Sequence, residues 1–137
     1  MKRYFADTAY FLALLNHGDD LHPAATTITT KGGFKIVTTA WVITELADAY
    51  SSVSHRPGFL GFYQFLISDP RTEMIVASAE LFNKGMALYA TRLDKAWSLT
   101  DCTSFVVMKE YGITEALTGD HHFEQAGFVA LLKLVEE

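Results

Sequence analysis

The 137-residue sequence predicts an α/β protein, a three-layer α/β/α sandwich with a central parallel sheet of about five strands. Short runs rich in β-branched and aromatic residues alternate with longer segments of helical periodicity, which is typical of right-handed β-α-β crossovers. Half of the residues are hydrophobic and 20% are charged, the balance of a globular chain with a real core. We therefore expect one domain that spans residues 1–137.

The first predicted strand covers residues 3–6 and ends directly before Asp7. Either Asp7 or Thr8 can cap the free N–H groups of a helix that continues to about residue 15, because Asp and Thr are both favoured at this position. After a polar turn, a second and thinly apolar helix is expected to end at about residue 30.

The second predicted strand covers residues 34–37, and Thr38 or Thr39 caps a helix from about residue 40 to residue 51. Glu45 lies among the apolar positions of this helix, so the periodicity predicts that its carboxylate points along the apolar face. A helical Glu usually faces solvent, which makes this position a candidate for function.

The middle of the chain is expected to contain a turn-rich loop closed by Pro57 and a short aromatic helix over residues 59–66. This aromatic segment is interpreted as core or as a dimer surface. A third strand over residues 72–77 then precedes a helix that starts after Ser78 and ends near residue 91.

The last part of the chain opens with Ser98 and Asp101, three residues apart, which predicts a capping box at the start of a helix that continues to about residue 111. A fourth strand follows over residues 115–118, with Asp120 in the turn directly after it. Residues 128–132 supply the last predicted strand.

Four acidic residues thus lie where apolar segments meet turns or helix starts: Asp7, Glu45, Asp101 and Asp120. Ligand sites of parallel sheets form beyond the carboxyl ends of the strands, so one cleft could hold all four. Converging carboxylates beside a core are costly unless a cation compensates them. Oxygen donors without a matching Cys/His set suit Mg²⁺ or Mn²⁺ and disfavour zinc.

Each acidic residue also has a simpler interpretation, which the sequence leaves open. Asp7 and Asp101 could serve only as helix caps, Glu45 could reach solvent or pair with a basic residue, and Asp120 could be a turn residue. Nearby, Asp94 is interpreted as a loop anchor for Trp97. The adjacent residues 121 and 122 are both His, which could touch phosphate or simply lie on the surface.

The charge and cysteine content exclude several classes of protein. A formal net charge of −5 disfavours passive binding of polyanions, so contact with a nucleic acid must be local or metal-assisted. The single Cys102 excludes an internal disulfide and is expected to be a small buried hydrophobe. No apolar run approaches the roughly 20 residues that span a bilayer. We expect a cytoplasmic protein.

The order and spacing of four segments across the chain resemble the PIN-domain nucleases, in particular small members such as the VapC toxins. The segments are Phe5-Ala6-Asp7-Thr8, Thr44-Glu45-Leu46, Leu99-Thr100-Asp101-Cys102-Thr103-Ser104-Phe105 and Leu117-Thr118-Gly119-Asp120. The resemblance implies Mg²⁺- or Mn²⁺-dependent hydrolysis of RNA phosphodiester bonds.

Carried over by position, the resemblance makes Asp7 and Asp101 metal ligands. Glu45 completes the acidic cluster or orients the attacking water, and Asp120 holds the metal through water or binds a second ion. Thr8 and Ser104 are implied to be hydrogen-bond partners of these ligands. Ala9 departs from the family pattern, where a small polar residue often follows the Asp-Thr pair.

The resemblance also implies partners: an RNA substrate, a small antitoxin protein and a second copy of the chain in a homodimer. Two alternatives stay open from the sequence. The chain could be a catalytically silent RNA-binding or scaffold module, or a housekeeping RNA-processing nuclease. The basic residues that could contact an RNA strand are Lys2, Arg3, Arg56, Arg92 and Lys95.

Overall fold

The computed structural model describes residues 1–133, in which five parallel strands form a sheet in the order β3-β2-β1-β4-β5. The strands are β1 (Lys2–Ala6), β2 (Phe34–Thr39), β3 (Thr72–Ile75), β4 (Glu115–Leu117) and β5 (Val129–Ala130). The helices are α1 (Thr8–Leu15), α2 (His22–Lys31), α3 (Ala40–Ala49), α4 (Arg56–Ser68), α5 (Ala79–Thr91), α6 (Leu99–Glu110) and α7 (His121–Gln125). The predicted parallel α/β fold is confirmed.

The central strand β1 pairs in parallel with β2 on one side and with β4 on the other. Phe5 is opposite Val37 of β2 and Ala116 of β4, and all three side chains are fully buried. Strands covered on both faces are typically apolar in this way. The backbone N–H of Asp7 donates to the carbonyl of Leu117 at 3.3 Å, which holds the carboxyl ends of β1 and β4 together.

Strand β2 is two residues longer than predicted because both of its terminal threonines have partners. Thr38 donates its hydroxyl to the carbonyl of Ala6 at 2.8 Å. Thr39 then caps α3, since its Oγ1 accepts from the N–H of Val42 at 3.2 Å. The end of β2 therefore lies beside the end of β1.

The prediction that Pro57 closes a loop is wrong, because α4 begins at Arg56 and Pro57 lies in its first turn. The first N–H groups of a helix have no partner within the helix, so Pro fits there without losing a hydrogen bond. The turn predicted around Asp120 leads directly into the short helix α7, and the strand predicted over residues 128–132 is reduced to the two residues of β5.

Helix α6 is buried over most of its length and packs closely against α5. The approach is close because Gly85 of α5 has no side chain: a Cβ there would lie 2.5 Å from Cγ2 of Thr103. No helix within residues 1–133 combines the length and the apolar character needed to cross a membrane.

Candidate metal and active site

An open cleft of about 340 Å³ lies at the carboxyl ends of the central strands. It is lined by Asp7, Thr8, Ala9, Leu12, Glu45, Ala96, Ser98, Asp101, Asp120 and His122. The structure therefore brings all four predicted acidic residues to one cleft. Asp94 lies outside it and is exposed; it binds Arg92, whose guanidinium lies over the ring of Trp97.

Asp7 is the most deeply buried of the four acids, with 6% of its surface exposed. It occupies the N-cap position of α1, but its side chain makes no capping hydrogen bond, so the simple helix-cap interpretation is wrong. Its Oδ2 instead accepts from the hydroxyl of Thr118 at 2.8 Å. Burial raises the pKa of Asp7 from 3.8 to about 7, and the nearby charges of Asp101 and Glu45 add to the increase.

Asp101 belongs to the predicted capping box, which the structure confirms. The hydroxyl of Ser98 accepts from the N–H of Asp101 at 3.0 Å, and Oδ2 of Asp101 accepts from the N–H of Ser98 at 3.0 Å. Burial raises the pKa of Asp101, while the bond from Ser98 lowers it and the charge of Asp120 raises it again. Asp101 thus caps its helix and also lines the cleft.

Glu45 lines the cleft from α3, but its side chain is exposed. The prediction that it points along the apolar face is wrong, since Val42 and Leu46 fill that face and are fully buried. Glu45 lies at the edge of this apolar stripe, where the helix borders the cleft. Its charge is nevertheless close enough to raise the pKa of Asp7.

Asp120 and His122 form the side of the cleft that follows β4. Asp120 is the N-cap of α7, and its Oδ1 accepts from the N–H of His122 at 2.9 Å. The Nδ1 atom of His122 lies 3.2 Å from Oδ2 of Asp101 and 3.4 Å from Oδ1 of Asp120. In the sequence, His122 is not distinguishable from its neighbour except by its position two residues after Asp120.

Two side chains near the acids differ from what the resemblance implied. Ser104 donates its hydroxyl to the carbonyl of Thr100 at 2.8 Å, within its own helix. Thr8 has a buried hydroxyl oxygen without a hydrogen-bond partner among the described residues. Thr118, which no local sequence pattern marks, donates its hydroxyl to the Asp7 carboxylate in the cleft.

The residues of the cleft fit a divalent cation. Within residues 1–133, the side chains lining it include four carboxylates and neither a lysine nor an arginine. The buried carboxylate of Asp7 and the unpaired hydroxyl of Thr8 are both groups that normally require a partner. A cation, with the water molecules it carries, would satisfy both requirements.

The parallel five-stranded sheet matches the PIN-like α/β fold, and comparison with known proteins finds a relative of the VapC type. The chain is similar to VapC20 of Mycobacterium tuberculosis, named as a 23S rRNA-specific endonuclease, with 29% identity over 126 residues. The aligned region covers 91% of this chain and 95% of that protein. No protein-family model matches the chain.

Solved structures confirm the fold. The crystal structure of M. tuberculosis VapC20, described as a sarcin-ricin loop cleaving toxin, matches with a TM-score of 0.83 and 24% identity, over 92% of this chain and 96% of that one. VapBC2 of Rickettsia felis, bound to a DNA fragment from its promoter, matches with a TM-score of 0.67 and 15% identity, over 93% of this chain and 96% of that one. FitAcB of Neisseria gonorrhoeae matches with a TM-score of 0.65 and 14% identity, over 93% of this chain and 94% of that one.

Proposed function

We propose that the protein is a metal-dependent endoribonuclease, the toxin of a toxin-antitoxin pair. The observation that carries this proposal is the convergence of four carboxylates in one cleft whose described lining contains neither a lysine nor an arginine. The similarity to an rRNA endonuclease over nine-tenths of the chain supports RNA as the substrate.

In this proposal Asp7, Asp101 and Asp120 hold the cation, which is Mg²⁺ or Mn²⁺. When bound, such an ion lowers the pKa of a coordinated water and offsets negative charge that develops on a phosphoryl group. Glu45 is exposed at the edge of the cleft and orients the attacking water through its carboxylate. Thr118 fixes the orientation of the Asp7 carboxylate by donating to its Oδ2.

The raised pKa of Asp7 makes cation binding and proton release compete. With a pKa of about 7, the carboxyl group is about half protonated at neutral pH when no cation compensates it. Metal ligands must be deprotonated, so a cation that binds here displaces this proton. Cation affinity at this site should therefore increase as the pH rises through 7.

The RNA strand must be held locally, since the formal net charge of the protein is −5. Of the five basic residues named above as candidates for RNA contact, Lys95 directly precedes Ala96, which lines the cleft. We therefore place the phosphate backbone beside Lys95, and expect Lys95→Ala to raise the KM for RNA more than it lowers kcat.

The test is cleavage of a panel of structured and single-stranded RNAs, including 23S rRNA, by purified protein with Mg²⁺, Mn²⁺ or EDTA. Asp101→Asn is the informative variant, because an Asn can still accept the bond from Ser98 while the charge is lost. We expect cleavage to fall by at least about 100-fold. Asp94→Asn is the matched control, since Asp94 is an exposed carboxylate outside the cleft.

Equal cleavage by wild type and Asp101→Asn would reject the proposed site. No cleavage of any RNA, with either ion, by wild type would favour the catalytically silent binding module over the nuclease.

The same proposal includes two protein partners. A small antitoxin would cover the acidic cleft, most directly with an arginine that pairs with its carboxylates. A second copy of the chain would pack on α4, where Leu60 and Phe65 are 55% and 64% exposed. Growth arrest on expression, relieved by the antitoxin, tests the first partner. Light scattering at micromolar concentration tests the second, and a monomeric mass would exclude it.

A further inference from the structure

His122 is fixed at the edge of the acidic cleft with one ring nitrogen facing two carboxylates. Its Nδ1 lies 3.2 Å from Oδ2 of Asp101 and 3.4 Å from Oδ1 of Asp120. Its backbone N–H is held at the same time by Oδ1 of Asp120, at 2.9 Å. The imidazole therefore shares the space between these two acids.

The adjacent His121 provides an internal comparison. Its side chain is 71% exposed, whereas that of His122 is 20% exposed. Among residues 1–133, ligand atoms of Asp120, His121 and His122 lie within 4.8 Å of one another, but His122 alone of the two histidines lines the cleft. The first residue of α7 thus faces outward and the second faces inward.

A second feature of the cleft independently indicates a bound group. The hydroxyl of Thr8 is buried in the wall of the cleft and has no hydrogen-bond partner in the described part of the chain. Such atoms are rare and normally contact a water or an ion. The lining of the cleft therefore combines carboxylates, an unpaired hydroxyl and an imidazole, which together can supply the oxygen and nitrogen ligands of a metal ion.

We propose that His122 is a nitrogen ligand of the cation that Asp101 and Asp120 hold, so that the cleft selects Mn²⁺ over Mg²⁺. The inference rests on the proposed metal site and adds to it. Mg²⁺ takes oxygen ligands in near-ideal octahedral geometry, whereas neutral imidazole suits transition metals. Ligation through Nδ1 requires the ring proton to be on Nε2, which leaves a lone pair on Nδ1 between the two carboxylates.

The competing role of His122 is to donate a hydrogen bond from Nδ1 to Asp101 and so only position it. Loss of such an outer partner also weakens metal binding, by about 10–100-fold, so affinity alone does not separate the two roles. A direct nitrogen bond does, because it transfers electron spin density from Mn²⁺ to the nitrogen nucleus. The experiment must therefore detect the nitrogen itself.

The test is pulsed electron paramagnetic resonance of Mn²⁺ bound to the full chain, prepared with ¹⁵N-labelled histidine, for wild type, His122→Ala and His121→Ala. We expect a coupling from a coordinated nitrogen in wild type and His121→Ala, and its loss in His122→Ala. Calorimetry with Mn²⁺ and Mg²⁺ should show that the ratio of the two affinities falls about tenfold or more in His122→Ala. Circular dichroism confirms that each variant is folded.

The outcomes separate this inference from the proposed function. Mn²⁺ binding that Asp101→Asn abolishes, without a nitrogen coupling in wild type, would overturn ligation by His122 and leave the acidic site standing. An equal loss of Mn²⁺ and Mg²⁺ affinity in His122→Ala would do the same, since it indicates positioning. No binding of Mn²⁺ by wild type would overturn both the ligation and the proposed metal site.

Discussion

The two walls of the acidic cleft hold their buried carboxylates in different ways. On the strand wall, Asp7 follows β1 and receives a side-chain hydrogen bond from Thr118. On the helix wall, Asp101 receives the N–H of Ser98 and lies beside His122, while it closes the first turn of α6. The Asp101 carboxylate therefore stabilises its own helix, whereas the Asp7 carboxylate contributes nothing comparable to α1.

The two walls therefore differ in how far hydrogen bonds offset the free-energy cost of burying a carboxylate. Burial dominates the pKa of both acids and raises it in each case. Asp101 recovers part of that cost through a capping box, which typically contributes about 1 kcal/mol. Asp7, whose pKa is raised to about 7, destabilises the cation-free protein once it ionises. Variants that remove a charge therefore test the strand wall, and variants that change packing or helix capping test the helix wall.

The largest expected effect is on the strand wall, in the variant Asp7→Asn without a cation. The folded protein keeps a proton on Asp7 up to a pH of about 7, whereas the unfolded chain releases it near 3.8. The contribution of Asp7 to the free energy of unfolding therefore falls as the pH rises through this window, by about 4 kcal/mol at 1.36 kcal/mol per pKa unit. Denaturant unfolding in EDTA at pH 4 and pH 8 should show Asp7→Asn equal to wild type at pH 4 and clearly more stable at pH 8.

The control for this experiment is Glu45→Gln, which removes an exposed carboxylate from the same cleft. We expect its pH profile to remain close to that of wild type. Saturating Mn²⁺ should reverse the order of wild type and Asp7→Asn at pH 8, because only the carboxylate binds the cation well. Parallel pH profiles for wild type and Asp7→Asn in EDTA would show that Asp7 is not the destabilising group.

A smaller effect is expected where α5 supports the helix wall, in the variant Gly85→Ala. The added Cβ would lie 2.5 Å from Cγ2 of Thr103, and overpacking of this kind costs about 1–3 kcal/mol. That cost should exceed the gain of about 1 kcal/mol in helix propensity. Gly61→Ala in α4 is the matched control, since its Cβ meets nothing within 4 Å and should stabilise the protein.

Urea unfolding measures both glycine variants, and a second substitution identifies the cause. Thr103→Ser deletes Cγ2 but keeps the hydroxyl that donates to the carbonyl of Thr100. The pair Gly85→Ala and Thr103→Ser should therefore regain most of the stability lost in Gly85→Ala alone. If the double variant is as unstable as the sum of the two single variants, the contact with Cγ2 is not the cause.

The sequence was sufficient for features that depend on short-range patterns. The capping box was predictable because Ser98 and Asp101 lie three residues apart, at the start of an apolar helix. The alternation of strands and helices was sufficient for the parallel sheet and hence for the convergence of the acids at one edge. The catalytic roles of those acids remain predictions.

Features set by long-range packing could not be derived in this way. Thr118 binds Asp7 across 111 positions of the chain, so no local pattern connects them. Periodicity placed Glu45 on an apolar face, but in the structure its side chain is exposed and lines the open cleft. His121 and His122 are indistinguishable in sequence, and only the direction in which α7 leaves β4 turns one of them inward.

The smallest expected effect tests whether the capping box positions the helix wall for catalysis. Ser98→Ala and Ser78→Ala each remove a hydroxyl that accepts a backbone N–H at the start of a helix, at 3.0 Å in α6 and 3.1 Å in α5. Each should cost about 1 kcal/mol in urea unfolding. Only Ser98 lines the cleft, so only Ser98→Ala should lower the rate of RNA cleavage, by a factor of about 3 to 10, as the first turn carrying Asp101 loosens.

The paired design makes the result specific, because both variants lose the same kind of hydrogen bond and differ only in what the capped helix carries. Equal cleavage rates in the two variants, at equal losses of stability, would mean that Asp101 stays in place without the Ser98 hydroxyl, through its burial and its contacts with the Ser98 N–H and His122. In that case the two walls would not differ in function. A selective loss in Ser98→Ala would show that the bond that stabilises α6 also sets the position of the carboxylate in the cleft.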